Sequence, residues 1–320
     1  MSIIRVNDLY LHYDTPEGIV PAVDGVSFTI DDRETLGIVG ESGAGKSSLA
    51  LALMRTLPRN VATFTGTAEL DGTDCLKLNE EEYRKKIRWQ KIAMVFQGAM
   101  DSLNPVIKVG KQVAEPLLLK PEIKPKQAHA TTLELLKMVM LPPEIFHRYP
   151  HELSGGMKQR IMVAMALILK PKLLILDEPT SALDVIIQAQ IMNLLKRFKR
   201  DLKLSSLFIT HDLALASDLC DKIAVMYAGE IIEMGSAEEL LIDPKHPYSQ
   251  KLLGSIPRLV EDTRPEFIPG APPKMTELPP GCYFRLRCHH AYNRCLDEHP
   301  PNHKLPSGQL VKCWLYGDKR

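Results

Sequence analysis

The sequence predicts an α/β protein: a mostly parallel sheet with an antiparallel β flank, a helical subdomain inserted into it, and a small cysteine-rich C-terminal extension. Three observations lead there. Short continuous apolar runs recur along the chain, as they do in strands covered on both faces. Amphipathic helical stripes separate several of these runs, and strand alternating with helix is the pattern of an α/β domain. After Ser255 the composition turns first to proline and then to cysteine, which sets residues 256–320 apart from 1–255.

Taken in order, the runs Ile3 to Val6, Ile19 to Val23 and Val26 to Ile30 are short and separated by turn residues, which predicts the antiparallel flank. Leu36 to Val39, Ile92 to Phe96, Leu173 to Leu176, Leu207 to Ile209 and Ile223 to Met226 read as buried strands of the main sheet. The stretch between the second and third of these is far longer than one crossover requires. It contains a helical pattern from Lys126 to Met140 with Leu133, Leu136 and Met140 on one face, stopped by Pro142 and Pro143. The helical subdomain is therefore placed at about 98–165. Two further stripes, Ile161, Ala164, Met165 and Ile168, then Ile187, Ile191, Leu194, Leu195 and Phe198, have helical spacing. Pro257, Pro265, Pro269, Pro272, Pro273, Pro279 and Pro280 crowd the segment after Ser255, a density neither helix nor strand tolerates, so an extended arm is expected there.

At 320 residues the chain exceeds one average domain. Lysine and arginine number 40 against 39 acids, a formal charge of +1, so there is no global field to draw in nucleic acid or an anionic membrane. No nucleic-acid partner is expected, and any membrane role has to pass through a protein partner. The longest apolar run, Ile161 to Leu169, is less than half the roughly 20 residues a helix needs to cross the hydrocarbon core. Met1 to Val6 lacks the blocks of a secretory signal, which predicts a cytoplasmic chain with reduced thiols.

Gly40-Glu41-Ser42-Gly43-Ala44-Gly45-Lys46-Ser47 fits the pattern G-x-x-x-x-G-K-S/T, directly after the strand Leu36 to Val39 and before a helical run that opens at Ser48. Glycines let backbone N–H groups turn inward around phosphate oxygens, and the helix N-terminus adds positive potential. Lys46 is expected to reach the β and γ phosphates, and Ser47 to ligate Mg2+. Leu173-Leu174-Ile175-Leu176-Asp177-Glu178 is a buried strand ending in two carboxylates. Asp177 is placed to hold the magnesium shell, and Glu178 to polarise the water that attacks the γ phosphate.

Leu153-Ser154-Gly155-Gly156-Met157-Lys158-Gln159-Arg160 opens a helix and supplies a serine hydroxyl and glycine amides at its N-terminus. One chain thus carries two phosphate-binding helix starts but one loop lysine. The simplest use of both sets the second against the nucleotide of another subunit.

This run resembles the signature motif of ABC ATPases, and the order of the other motifs is similar to that family's. The resemblance implies an ATP-hydrolysing P-loop core over about residues 1–255. Gln97 looks like the glutamine that senses magnesium and couples to a permease, Ser181-Ala182-Leu183-Asp184 like the D-loop, and His211 like the switch histidine at the γ phosphate. Tyr13 sits where the family often stacks an aromatic on adenine. Glu178, His211 and Gln97 would be catalytic, Ser47, Gln97 and Asp177 would hold magnesium, and Ser154, Gly155, Gly156 and Gln159 would act on the partner's ATP. Phe96 to Pro105, Ala182 to Gln190 and His246 to Leu253 resemble the ATP-binding subunits of oligopeptide, dipeptide and nickel importers. That likeness implies a second, often different ATPase subunit, two membrane permeases, an external binding protein, and a place on the cytoplasmic face of the membrane. Peptides are the expected cargo, with nickel or oligosaccharides as alternatives. The rival reading, an ABC ATPase acting on ribosome or nucleic acid, leads one to expect two cassettes or a long coiled-coil insertion, and the sequence has neither.

Cys282, Cys288, Cys295 and Cys313 are spaced x5, x6 and x17, and four thiolates can hold a 4Fe-4S cluster or tetrahedral Zn2+. The spacing matches neither a ferredoxin run nor a C-x2-C ribbon, so the pattern leaves the metal open. Similar importer ATPases often bind a 4Fe-4S cluster through such a tail, which favours iron. His289, His290, His299 and His303 are expected to be solvated. Arg285, Arg287 and Arg294, interleaved with Tyr283, Phe284 and Tyr292, are expected to pack around the cluster. Cys75 and Cys220 read as ordinary thiols.

Overall fold

A computed structural model describes residues 2–181, 183–255 and 268–317. Ala182 of the D-loop run and the start of the proline-rich arm, with Pro257 and Pro265, lie outside the described residues. The chain forms two compact units, one of Met1–Leu76 with Leu207–Arg320, the other of Lys77–Ser206. In chain order the first unit begins with β1 (Ser2–Thr15), β2 (Gly18–Asp31), β3 (Thr35–Val39), α1 (Lys46–Met54), β4 (Val61–Leu70) and β5 (Thr73–Asp74). The second holds α2 (Glu80–Lys86), β6 (Ile92–Val95), α3 (Val109–Leu118), α4 (Pro125–Met138), α5 (Gly155–Leu167), β7 (Leu173–Asp177) and α6 (Val185–Leu202). After β8 (Ser205–Thr210) the first unit resumes with α7 (Leu213–Leu219), β9 (Lys222–Tyr227), β10 (Glu230–Ser236), α8 (Ala237–Ile242), α9 (Pro247–Gly254), α10 (Asn293–Asp297), β11 (His303–Lys304) and β12 (Leu310–Val311).

In the first unit, β2-β1-β4-β5 form the antiparallel sheet expected from the N-terminal runs. Two of those runs are one strand rather than two. Between the pairs Leu9↔Val26 and Leu11↔Val23, β2 advances one residue further than β1, so Asp24 and Gly25 are absorbed in a bulge instead of a turn. The other strands run β11-β12-β10-β9-β3-β8, with β3 and β9 parallel and β9 and β10 antiparallel. Every residue of β3 and β8 is buried, which is why these strands read as unbroken apolar runs. β10 is only partly buried and the tail strands β11 and β12 are two residues each, so none carries such a run; the pairing of β10 with β12 joins residues far apart in the chain.

In the second unit, β6 and β7 pair in parallel and are wholly buried. The strand ends at Val95; Phe96, expected inside it, lies beyond and is 41% exposed. The helix expected from Lys126 to Met140 is α4, but its buried side is Ala128, Thr132, Leu135 and Leu136. Met140 falls outside the helix at φ 58 and is 47% exposed, so the face set by Leu133, Leu136 and Met140 is rotated from the one that packs. In α6 the stripe holds for Ile191, Leu194, Leu195 and Phe198, which are buried, while Val185 and Ile186 in its first turn are 79% and 71% exposed.

Candidate nucleotide site

The loop after β3 belongs to the first unit. Gly45, at φ 102, is the N-cap of α1, and a Cβ there would lie 1.9 Å from the Ala22 carbonyl oxygen, so only glycine lets the loop press this close to β2. Lys46 is buried, and its Nζ donates to the carbonyl oxygens of Gly40 and Glu41, each at 2.8 Å. The ammonium is thus held at the mouth of the loop by acceptors that a phosphate oxygen can replace. Ser42 and Gly43 are exposed, Ser47 and Ser48 half-buried, and Ala44 is packed inside. Tyr13 is half-buried in β1 opposite Val20 and Val61. His211 is exposed just past the end of β8, and the next residue, Asp212, accepts from the N–H groups of Ala214 and Leu215 at 2.8 and 3.2 Å to start α7.

Every polar handle of Glu41 is engaged. Its N–H donates to the Tyr248 hydroxyl at 2.9 Å and its carbonyl receives Lys46. Its carboxylate takes both arms of the Arg287 guanidinium, at 2.7 and 2.9 Å. Tyr248 comes from the His246-Pro247-Tyr248 run: the buried His246 ring accepts from the Tyr248 N–H at 3.0 Å, capping α9 and aiming the tyrosine. Burial pushes the His246 pKa down to about 3, so the ring is neutral at ordinary pH. These loop partners were invisible in the sequence because they lie 207 and 246 positions away from Glu41. The histidine run was noticeable only as a family likeness.

The remaining site residues belong to the second unit. Asp177 closes β7 and is buried. Glu178 has φ 46, a left-handed backbone that costs a non-glycine residue about 1–2 kcal/mol. That turn brings its carboxylate to the Gln97 Nε2, which donates to it at 3.0 Å. With that nitrogen committed, the amide oxygen is the atom of Gln97 that can face a cation. Ser154 caps α5, its hydroxyl accepting from Met157 N–H at 3.4 Å, and Asp184 caps α6, accepting from Ile187 N–H at 2.9 Å. Ser154 and Gly155 are exposed; Gly156 and Gln159 are buried.

In the tail, Cys282, Cys288, Cys295 and Cys313 line one small cavity with Phe284, His290 and Trp314 among its walls. Burial raises the Cys282 thiol to about 11 and the Cys313 thiol to about 12, with the neighbouring cysteines adding to the rise. At those values the thiols are protonated at neutral pH, and binding a cation there would displace their protons. Among the described residues, however, no three His, Cys, Asp or Glu side chains converge closely enough to hold a metal ion. His299 is not solvated as expected: its ring nitrogens meet the Gly281 carbonyl at 3.1 Å and Glu230 at 3.0 Å, because buried Glu230 and Lys312 of β10 and the tail need the charge closed locally. The aromatic and arginine residues do pack: Phe284 stands edge-on to Tyr227 and Tyr248, and Arg294 lies 3.5 Å over the Trp314 ring. Cys75 and Cys220 are buried thiols in the first unit.

Comparison with known proteins agrees with this geometry. The ABC transporter family model matches residues 23–181, and a second model, the oligopeptide/dipeptide transporter C-terminal region, matches residues 232–295. The chain is 45% identical over 316 residues to the oligopeptide transport ATP-binding protein OppD of Escherichia coli, covering 98% of this chain and 93% of that protein. It is 43% identical over 324 residues to the dipeptide transport ATP-binding protein DppD of Caldanaerobacter subterraneus, covering 99% and 98%. Among solved structures it resembles the dimeric ATP-binding cassette MJ0796 bound to ADP and phosphate, at TM-score 0.65 and 28% identity over 73% of this chain and 98% of that one. By its matched models and its near full-length likeness to these relatives, the chain belongs to the ATP-binding proteins of the ABC transporter family, in the oligopeptide/dipeptide branch.

Proposed function

We propose that the chain hydrolyses ATP to power uptake of oligopeptides or dipeptides through membrane permeases, as one of a pair of ATPase subunits. The observation that carries the catalytic reading is Glu178, a carboxylate held in a costly left-handed turn directly after the buried Asp177 and within hydrogen-bond reach of Gln97. Such strain persists where the surrounding structure enforces it, and a base aimed at a fixed water is a reason to enforce it.

In this reading Lys46 exchanges its two carbonyl acceptors for the β and γ phosphates, and the amides of Gly40 to Ser48 line the cradle. Tyr13 takes the adenine. Ser47 of the first unit, and the Gln97 amide oxygen and Asp177 of the second, are hard oxygen donors of the kind that suits Mg2+, and each is proposed as a ligand. The cation, when bound, neutralises charge on the transferring phosphoryl group. Glu178 accepts a proton from the attacking water, and His211 steadies the γ phosphate. Ser154, Gly155, Gly156 and Gln159 act on the partner's ATP, and Asp184 lies at the same junction. Closing two subunits head to tail around ATP and reopening them after hydrolysis would be passed to the permeases through the Gln97 segment. The second subunit is proposed to be a paralogue, and an external binding protein to deliver the peptide. Among the described residues no helix is long and apolar enough to cross a membrane, so attachment to the cytoplasmic face is proposed to run through the permeases.

For the tail we propose a metal centre on Cys282, Cys288, Cys295 and Cys313, a 4Fe-4S cluster in preference to zinc, since the thiols that ligate a cluster need not converge on a single ion as zinc would require. Support comes from the four thiols sharing one cavity and from the resemblance to importer ATPases with such tails. The division into a nucleotide-binding domain, 1–255, and a cysteine-rich region, 256–320, is proposed on the same grounds.

The test is Glu178→Gln. It is expected to bind ATP and trap the paired state while turnover falls by at least a hundredfold; hydrolysis near the wild-type rate would remove Glu178 as the base.

A further inference from the structure

The first position after the opening glycine of the loop is a glutamate, a negative charge in a loop whose work is to hold the most highly charged part of ATP. Left to itself, Glu41 would repel the triphosphate and compete for the loop's own amides. The structure places a guanidinium against it. Arg287 has a side chain only 4% exposed and binds the Glu41 carboxylate with two donors, while its Nε donates to the Pro269 carbonyl at 2.9 Å and its fork reaches the Tyr227 hydroxyl at 3.4 Å. The paired geometry is the strong, directional form of the arginine–carboxylate contact. Arg287 lies in the short turn between Cys282 and Cys288, and Phe284 of the same turn packs on Tyr227 and on Tyr248, the residue that holds the Glu41 N–H. One tail segment therefore fixes Glu41 directly through its carboxylate and indirectly through its N–H.

We propose that Arg287 is a positioning residue of the nucleotide site: it cancels and anchors the Glu41 charge, so that the C-terminal segment sets the affinity of the loop for ATP. Arg287 acts through Glu41 and need not touch the nucleotide. The inference rests on the assignment of Gly40 to Ser48 as the ATP loop, and it makes the tail part of that site rather than an appendage.

The experiment is titration of the purified full-length chain with Mg-ATP by calorimetry, for the wild type, Arg287→Ala, Glu41→Gln, the double variant and Lys46→Ala. Arg287→Ala exposes an unbalanced carboxylate and is expected to weaken ATP binding on the order of tenfold. The double variant, with that charge removed, is expected to return to within about threefold of wild type, a rescue that loss of packing alone would not give. Glu41→Gln keeps the arginine and drops the acid, and is expected to bind ATP about threefold more tightly. Wild-type affinity in Arg287→Ala, or a double variant as weak as Arg287→Ala, overturns the proposal. Where Arg287→Ala does not fold, Glu41→Gln decides: equal or weaker binding overturns it. Lys46→Ala separates the underlying assignment, since unchanged binding there would show that this loop is not the ATP loop at all.

Discussion

Replacing Gly45 by alanine tests how closely the loop is pressed against β2. An added Cβ would stand 1.9 Å from the Ala22 carbonyl oxygen and 2.8 Å from the Met226 Cε. The methionine tip can swing away, but the Ala22 carbonyl is backbone, flanked by Val23 and Pro21, which pair with Leu11 and His12 of β1, so it has little room to retreat. Overfilling of this kind costs about 1–3 kcal/mol, and the positive φ of 102 adds about 1–2 kcal/mol for an L-residue. Against this, alanine restricts the unfolded chain and returns about 0.4–1 kcal/mol. The net expectation is a loss of about 2–4 kcal/mol, a large share of the ~5–15 kcal/mol that holds a typical domain. Gly43→Ala is the control, because Gly43 also has positive φ, 81, yet has nothing within 4 Å of an added Cβ. It should lose only about 1 kcal/mol, the backbone part alone. Equilibrium urea unfolding of the nucleotide-free chain, followed by fluorescence and circular dichroism together, reads the difference between the two. Equal losses for Gly43→Ala and Gly45→Ala would refute the close approach to Ala22.

Two further outcomes follow from buried groups. His246 titrates near 3 in the folded chain against about 6.5 when unfolded, so folding releases a proton; its contribution is fully present above 6.5 and is lost as the pH falls through that window toward 3. At pH 5 the loss is about 2 kcal/mol. His246→Asn keeps a capping acceptor for the Tyr248 N–H without titrating, so its stability should fall less steeply between pH 7 and 5; superimposable profiles would contradict the buried neutral ring. For the tail, iron and sulfide assays on anaerobically purified chain are expected to give about four of each per chain. Stoichiometric zinc without iron would overturn the cluster, and absence of both metals would overturn the metal centre.

The motifs were legible in the sequence wherever the chemistry is contiguous. A phosphate loop needs its glycines, lysine and serine on consecutive residues between a strand and a helix, and a cap needs its oxygen three residues from the amide it satisfies, as at Ser154 and Asp184. Buried strands announced themselves by unbroken apolar runs for the same local reason. Tertiary packing decides what local pattern does not: the bulge that fuses two runs into β2, the α4 face that turns Met140 outward, and the pairing of β10 with β12. The partner of His299, Glu230, is 69 positions away, so no local pattern marks this histidine as paired.

From the linear order of residues alone came the α/β class, the loop and carboxylate pair that handle a triphosphate, and the signature helix that places the chain among ABC ATPases. Only the folded chain decided that Glu41 is held by Arg287 and Tyr248, and that four distant cysteines share one cavity. The reason is physical: backbone amides and helix ends act on residues a few positions away, whereas a buried charge takes whatever partner the fold brings to it, and no periodicity in the sequence records that choice.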